Sequence, residues 1–223
     1  MDKTRDKQES DIVERKTYPA EVYTAEEVTR ILKAISLRAP SGIRNRAIVI
    51  IGYRAGLRLS EVLSLHLKDL DLEECSINVL RGKGRKQRIV GLDPGACAIV
   101  QRWVDLWQKL GFKGSDPLFC TITQGAGNRQ TGQLIPGQPL KTAYIRGLMK
   151  RLGKKAGIDK RVHFHGLRHS FAADMVKEGI TIPEIAGSLG HSSIATTSRY
   201  LDHIAPQDRI DRAKKRVWDS EGL

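Results

Sequence analysis

The sequence predicts an α+β domain that is mainly helical and carries one small antiparallel β-sheet. Three observations lead there. Apolar residues recur every third or fourth position along most of the chain, and N-cap residues and glycines bracket those runs. Between Ser76 and Val90 the apolar period shortens to two, around a basic turn punctuated by glycine. At 223 residues the chain can hold one well-buried core with a short appendage rather than two full domains.

Residues 1–19 mix charges without apolar periodicity and end at Pro19, so they read as a flexible lead-in to a domain spanning 20–223. Thr24-Ala25-Glu26-Glu27 is a capping box, and Val28, Ile31, Leu32 and Ile35 then share one helical face. A second helix is predicted over Arg44 to Arg54, stopping at Gly56. A short one follows over Ser60 to Leu67, with Val62, Leu63 and Leu65 inward and Arg58 at its entry. Ser76 to Leu80 and Gln87 to Val90 read as strands joined by a tip at Arg81-Gly82-Lys83-Gly84-Arg85. Helices are expected at about Pro94 to Leu110 and Lys141 to Lys155, with a long loop, Thr123 to Pro139, between them. Leu167 to Lys177 is helical and closed by Gly179. A second capping box, Thr181 to Glu184 with Pro183 in the first turn, opens a helix closed by Gly190. Two short helices, around Ser193 to Leu201 and Pro206 to Trp218, complete the chain.

Lys and Arg number 38 against 25 Asp and Glu, a formal charge of +13 that attracts polyanions. Nucleic acid is the expected partner. No 18-residue apolar run and no apolar leader occur, so neither a membrane span nor a secretory signal is predicted, and the expected location is cytoplasmic and nucleoid-associated. Cys75, Cys97 and Cys120 form no Cys-x-x-Cys, which argues against a disulfide framework and a thiolate zinc site.

The chemistry lies in residues scattered along the chain. Displacement at a phosphodiester needs a nucleophile, positive charge on the non-bridging oxygens, and a proton for the departing sugar oxygen. Arg58 and Arg168 are candidates for the charge, because a guanidinium grips two oxygens and stays protonated. Lys83, between glycines on the hairpin, is the candidate proton donor, and His165 and His191 offer further donors or relays. Tyr200 is the candidate nucleophile, a phenol usable only where cations favour its anion. His169, four residues after His165, reads as structural. Arg81, Arg85, Lys86 and Arg88 around the hairpin read as phosphate-contacting cations.

Gly56-Leu57-Arg58-Leu59-Ser60-Glu61-Val62, Gly82-Lys83-Gly84-Arg85-Lys86, His165-Gly166-Leu167-Arg168-His169, and Leu189-Gly190-His191 with Tyr200 resemble the motifs of tyrosine recombinases, the phage-integrase and Xer-type group. The resemblance covers about residues 23 to 205 in the family's order. It implies the DNA breaking-rejoining fold of the tyrosine-recombinase catalytic domain, with Arg58, Lys83, His165, Arg168, His191 and Tyr200 as active set and Glu61 in support. It further implies site-specific recombination or integration, as in mobile elements, through a 3′-phosphotyrosyl link without metal, ATP or other cofactor. The partners so implied are double-stranded DNA at a specific site and further copies of the chain in a tetrameric synapse. The family's usual N-terminal core-binding domain is expected to be absent. The basic tail after Tyr200, with Ile210, Val217 and Trp218, either packs on its own domain or docks on a neighbouring protomer.

Three other readings compete. Ile182 to Tyr200 could be a helix-turn-helix of a regulator without catalysis, which leaves Arg58 and the lysine hairpin unexplained. His163, His165 and His169 could hold a hydrolytic metal, supported by helical spacing alone. A type IB topoisomerase would share the chemistry but only relax its substrate.

Overall fold

Helix α2 (Pro40–Arg54) is the element against which four of the other helices pack. Ala47 to Ile51 is apolar all round, and a helix of that kind must be enclosed rather than laid on a surface. Helices α4 (Pro94–Lys109) and α6 (Phe164–Lys177) enclose it. Gly52 allows the approach of α6, since a Cβ there would stand 2.6 Å from the Phe164 ring. The computed structural model describes residues 21–80, 87–122, 136–191, 193, 195, 197, 198, 213 and 214.

Ahead of α2, helix α1 (Ala25–Lys33) opens with the expected capping box. Glu27 N–H donates to Thr24 Oγ1 at 3.2 Å, and Thr24 N–H donates to Glu27 Oε2 at 2.8 Å. Helix α2 starts four residues before the predicted Arg44, because Pro40 is pre-set for a first turn that lacks an apolar period. Beyond α2 the chain reverses at Gly56, whose φ of 61° suits glycine. Helix α3 (Leu59–Leu63) and a single 3₁₀ turn (Leu67–Asp69) replace the one longer helix expected there.

The sheet is antiparallel in the order β1 (Leu70–Asp71), β2 (Ser76–Val79), β3 (Arg88–Gly91), with Ile77 opposite Val90 and Val79 opposite Arg88. Strand β1, two residues long, is too short to leave a periodic signal. Asp93 caps α4 through Ala96 N–H at 3.1 Å and binds Arg54 Nε at 2.7 Å. On α4, Trp103 and Trp107 are fully buried and donate their indole N–H groups to the carbonyls of Leu118 and Pro117. Helix α5 (Thr142–Lys155) is tied to α2 by the buried Arg44, which donates to Tyr144 Oη at 2.9 Å and to the Cys120 carbonyl at 2.6 Å.

Helix α6 begins at Phe164, three residues before the predicted start, because His163 acts as its N-cap: its ring Nδ1 accepts from Gly166 N–H at 3.2 Å. Tyr23 locks this end. Its N–H donates to Ser170 Oγ at 2.7 Å, and its hydroxyl accepts from His163 N–H at 2.9 Å and donates toward the carbonyls of Arg161 and His163, both at 3.1 Å. Burial pushes that phenol up to about 12 against the His163 backbone bond, so it is structural rather than nucleophilic. Helix α7 (Ile182–Leu189) opens with the predicted Thr181–Glu184 box and ends at Gly190, in the left-handed region with φ 62°. All three cysteines are free thiols, with Cys97 and Cys120 buried. Among the described residues, no helix is long and apolar enough to cross a membrane.

The indole of Trp103 stacks on Phe119 with ring centroids 6.5 Å apart. Trp103→Ala is expected to cost about 3–5 kcal/mol of folding stability in urea melts, as a cavity opens between α4 and the Leu118–Cys120 segment.

Candidate active site

Arg168 is the innermost part of the site. It is 1% exposed although it carries a full charge, so its guanidinium must find partners inside the protein. Nη1 donates to the Gly56 carbonyl at 2.5 Å, Nη2 donates to the Leu189 carbonyl at 2.7 Å, and Nη2 also lies 3.2 Å from His191 Nε2. One side chain of α6 thus fixes the reversal that carries Arg58 and the end of α7 that carries His191. Because arginine only donates, His191 Nε2 must accept, and the ring's proton sits on Nδ1. That proton goes to the buried Thr197 Oγ1, 2.8 Å away.

Arg58 stands at the N-cap of α3 with its side chain 39% exposed, open to a ligand. Glu61, one turn on, holds it twice: Oε2 accepts from Arg58 N–H at 2.8 Å and Oε1 from Arg58 Nη1 at 3.0 Å. Burial raises the Glu61 carboxyl, but the Arg88 hydrogen bonds, the Arg58 N–H and the two guanidinium charges outweigh it and hold it at about 2. The carboxylate is ionised at any working pH.

His165 and His169, one turn apart on α6, pack edge to face with ring centroids 4.5 Å apart. His165 is exposed as a residue, yet desolvation of its ring within the protein, followed by the charges of Arg168, His163 and Arg58, pushes its imidazole down to about 4. His169 is pushed to about 3 by burial and then by His165, His163 and Arg168. Both rings are therefore neutral at pH 7 and serve as hydrogen-bonding groups rather than charges.

A groove of about 910 Å³ runs from His165 and Leu59 along α5 and the Gly157–His163 segment. Arg146, Lys150, Lys154 and Arg161 line it, all exposed and, among the described residues, without a carboxylate partner. None of these cations belongs to a recognisable motif, yet Arg146, Lys150 and Lys154 recur every four residues and so share one helix face.

Arg58, Glu61, His165, Arg168, His169 and His191 thus gather on one side of the fold. Lys83, Tyr200, Arg81, Arg85 and Lys86 lie outside the described residues, as does most of the tail. Arg88 corrects the sequence reading: it does not extend into solvent as a phosphate contact. Its side chain is 10% exposed and grips both Glu61 oxygens. The histidine metal site also finds no support. Nδ1 of His163 is occupied in capping, and among the described residues no three His, Cys, Asp or Glu side chains are grouped to hold a metal.

Residues 21–206 match the phage integrase family. The chain belongs to that family. Integrase-family relatives include the tyrosine recombinase XerD of Bifidobacterium longum, 30% identical over 86% of this chain and 60% of that protein. The XerC recombinase of Xanthomonas campestris is 33% identical over 83% of this chain and 53% of its own length. This integrase-family chain therefore spans somewhat over half the length of these curated relatives. Its fold matches the crystal structure of the XerA recombinase with a TM-score of 0.71 and 31% identity, covering 90% of this chain and 67% of that one. The mainly helical architecture with a small sheet is that of a tyrosine-recombinase catalytic domain, as the family motifs imply.

The depressed imidazoles of His165 and His169 make stability depend on pH. An unfolded histidine titrates near ~6.5, whereas His165 and His169 stay neutral down to about 4 and about 3, so between those values the unfolded chain binds protons that the folded one refuses. Unfolding free energy therefore falls as pH drops from 6.5 toward 4. Glu61, held at about 2, contributes in full above its unfolded value of ~4.3 and loses its contribution only below that. Urea midpoints should decline from pH 7 to pH 4, and His169→Gln should flatten that slope; an unchanged slope would remove His169 from the account.

Proposed function

We propose that residues 20–223 form the catalytic domain of a site-specific DNA recombinase that cuts and rejoins strands through a 3′-phosphotyrosyl link at Tyr200. The observation that carries this reading is the gathering of Arg58, His165, Arg168 and His191 at the end of a groove lined by exposed cations. A polyanion laid along Arg146, Lys150 and Lys154 brings its backbone to that cluster. A similar solved structure is that of a XerH site-specific recombinase bound to its palindromic difH substrate in a post-cleavage complex, with a TM-score of 0.69 and 27% identity over 88% of this chain and 53% of that one.

In this mechanism Arg58 and Arg168 bracket the scissile phosphate, and their charge stabilises the five-coordinate transition state. Tyr200 loses its phenolic proton to solvent and attacks phosphorus as the anion, and the 5′ oxygen leaves with a proton from Lys83. His165 donates a hydrogen bond to a non-bridging oxygen, and His191, with its tautomer set by Arg168 and Thr197, orients the other side. A freed 5′-hydroxyl from a partner strand then reverses the step and expels the tyrosine. One ester is exchanged for another, so the energy of the broken bond is kept and neither ATP nor a metal is required. Arg81, Arg85 and Lys86 hold the hairpin on the duplex. Strand exchange needs paired sites, so the assembly that acts is several copies of the chain on DNA, a tetramer in this reading, associated with the nucleoid.

A pool of nicked duplexes with randomised sequence, incubated with the protein and resolved under denaturing conditions, tests the reading. The expected product is a DNA–protein adduct whose linked peptide contains Tyr200; Tyr200→Phe should abolish it while DNA affinity is kept. An adduct that survives that change would name another nucleophile. Because the groove cations contact phosphate, Arg146→Ala combined with Lys150→Ala should lower the slope of log affinity against log salt by about 0.9 per residue. An unaltered slope would take DNA off that face.

A further inference from the structure

Arg88 occupies a place where its chemistry is out of keeping with its surroundings. In the β2–β3 pairing it sits opposite Val79, and Ile77 sits opposite Val90, so all four share the core-facing side of the sheet while Ile89 points out, 72% exposed. A charge on that face is expensive unless fully partnered. Its partners are Glu61 Oε1 and Oε2, at 3.0 and 2.8 Å, and the Ser188 carbonyl, which accepts from Nε at 2.9 Å. A buried pair of this kind contributes little net stability compared with apolar side chains of the same volume, so stability alone is a poor reason for it.

What the pair touches supplies a better reason. Glu61 holds Arg58 by both its backbone N–H and its guanidinium, and Arg88 is the fork that holds Glu61. Ser188 adjoins Leu189, whose carbonyl accepts from Arg168, and both lie just ahead of His191. One planar fork thereby joins the segments bearing Arg58 and His191.

We infer that Arg88 is a positioning residue for the phosphate-charge step. It fixes Glu61 and, through Glu61, sets the Arg58 guanidinium where the non-bridging oxygens must sit, while it steadies the α7 end that presents His191. The inference rests on the proposed strand-cleavage chemistry but not on any contact between Arg88 and DNA. The depressed Glu61 carboxyl accords with it, since the acid form could not accept from both arginines.

Two measurements on Arg88→Met and Arg88→Lys test it. On a nicked duplex that the wild-type protein cleaves, Arg88→Met should form adduct about 100-fold more slowly at nearly unchanged DNA affinity, as expected for a misplaced charge-stabilising group. Arg88→Lys, with one prong in place of a fork, should recover part of the rate. A substrate with a methylphosphonate at the scissile position carries no charge for Arg58 to meet, so the gap between wild type and Arg88→Met should shrink to about tenfold or less. A fold defect would slow both substrates alike, and that result, or an Arg88→Met variant as fast as wild type, would overturn the inference. The second measurement needs no DNA. Hydrogen exchange of the Arg58 amide, held by Glu61, should quicken at least about tenfold in Arg88→Met while the Ala47–Ile51 amides stay as slow as in wild type. Unchanged protection at Arg58 would overturn the inference even if the wild-type protein formed no adduct, an outcome that would instead count against the proposed function.

Discussion

The buried guanidinium of Arg168 is the constraint on which the site depends. With two carbonyl oxygens and an imidazole nitrogen around it, it sets the distance between the Gly56 reversal and the end of α7, and the residues that flank those points follow. Gly56 itself can lie there because its backbone takes φ 61° and because no side chain blocks the Phe171 ring. The core serves the same end. Helix α2 is enclosed so completely that its C-terminal reversal is held from below, and Gly52 lets α6 approach until Arg168 reaches across.

Electrostatics then divide the labour. Positive charge is kept by arginines, which do not titrate, while the histidines nearby are driven neutral by burial and by those same arginines. The site therefore presents a fixed charge and a set of uncharged hydrogen-bonding rings. Glu61, ionised and gripped from two sides, prevents the arginines from repelling one another out of register. Such a site can be preorganised before any anion arrives, which is the condition under which charge stabilisation is most effective.

Much of this was legible in the sequence. The boxes at Thr24 and Thr181, the glycines at 56 and 190 and the alternation around the hairpin mark local rules that the tertiary structure obeys. Failures came where a residue served in an unaccustomed role. A histidine nitrogen capped α6 in place of a serine or aspartate oxygen, so its first turn was missed. Arg88 lay in a run of cations and was read as exposed, although its parity with Val90 on one strand already directed it inward. The α5 cations carry no motif, and only their four-residue spacing marks them as one face. Arg58, Glu61, His165, Arg168 and His191 were named from motifs, whereas their partners, carbonyls above all, have no sequence signature.

The Tyr23 lock gives the N-terminal approach to the domain a mechanical meaning. Its phenol bridges three backbone groups between Arg161 and His163, and its amide is anchored on the same helix at Ser170. A displacement of Tyr23 would therefore reach the first turn of α6 directly, through its hydroxyl at His163 and its amide at Ser170. Tyr23 is in this sense the pin of a hinge plate, and His165 sits on the turn that it fastens.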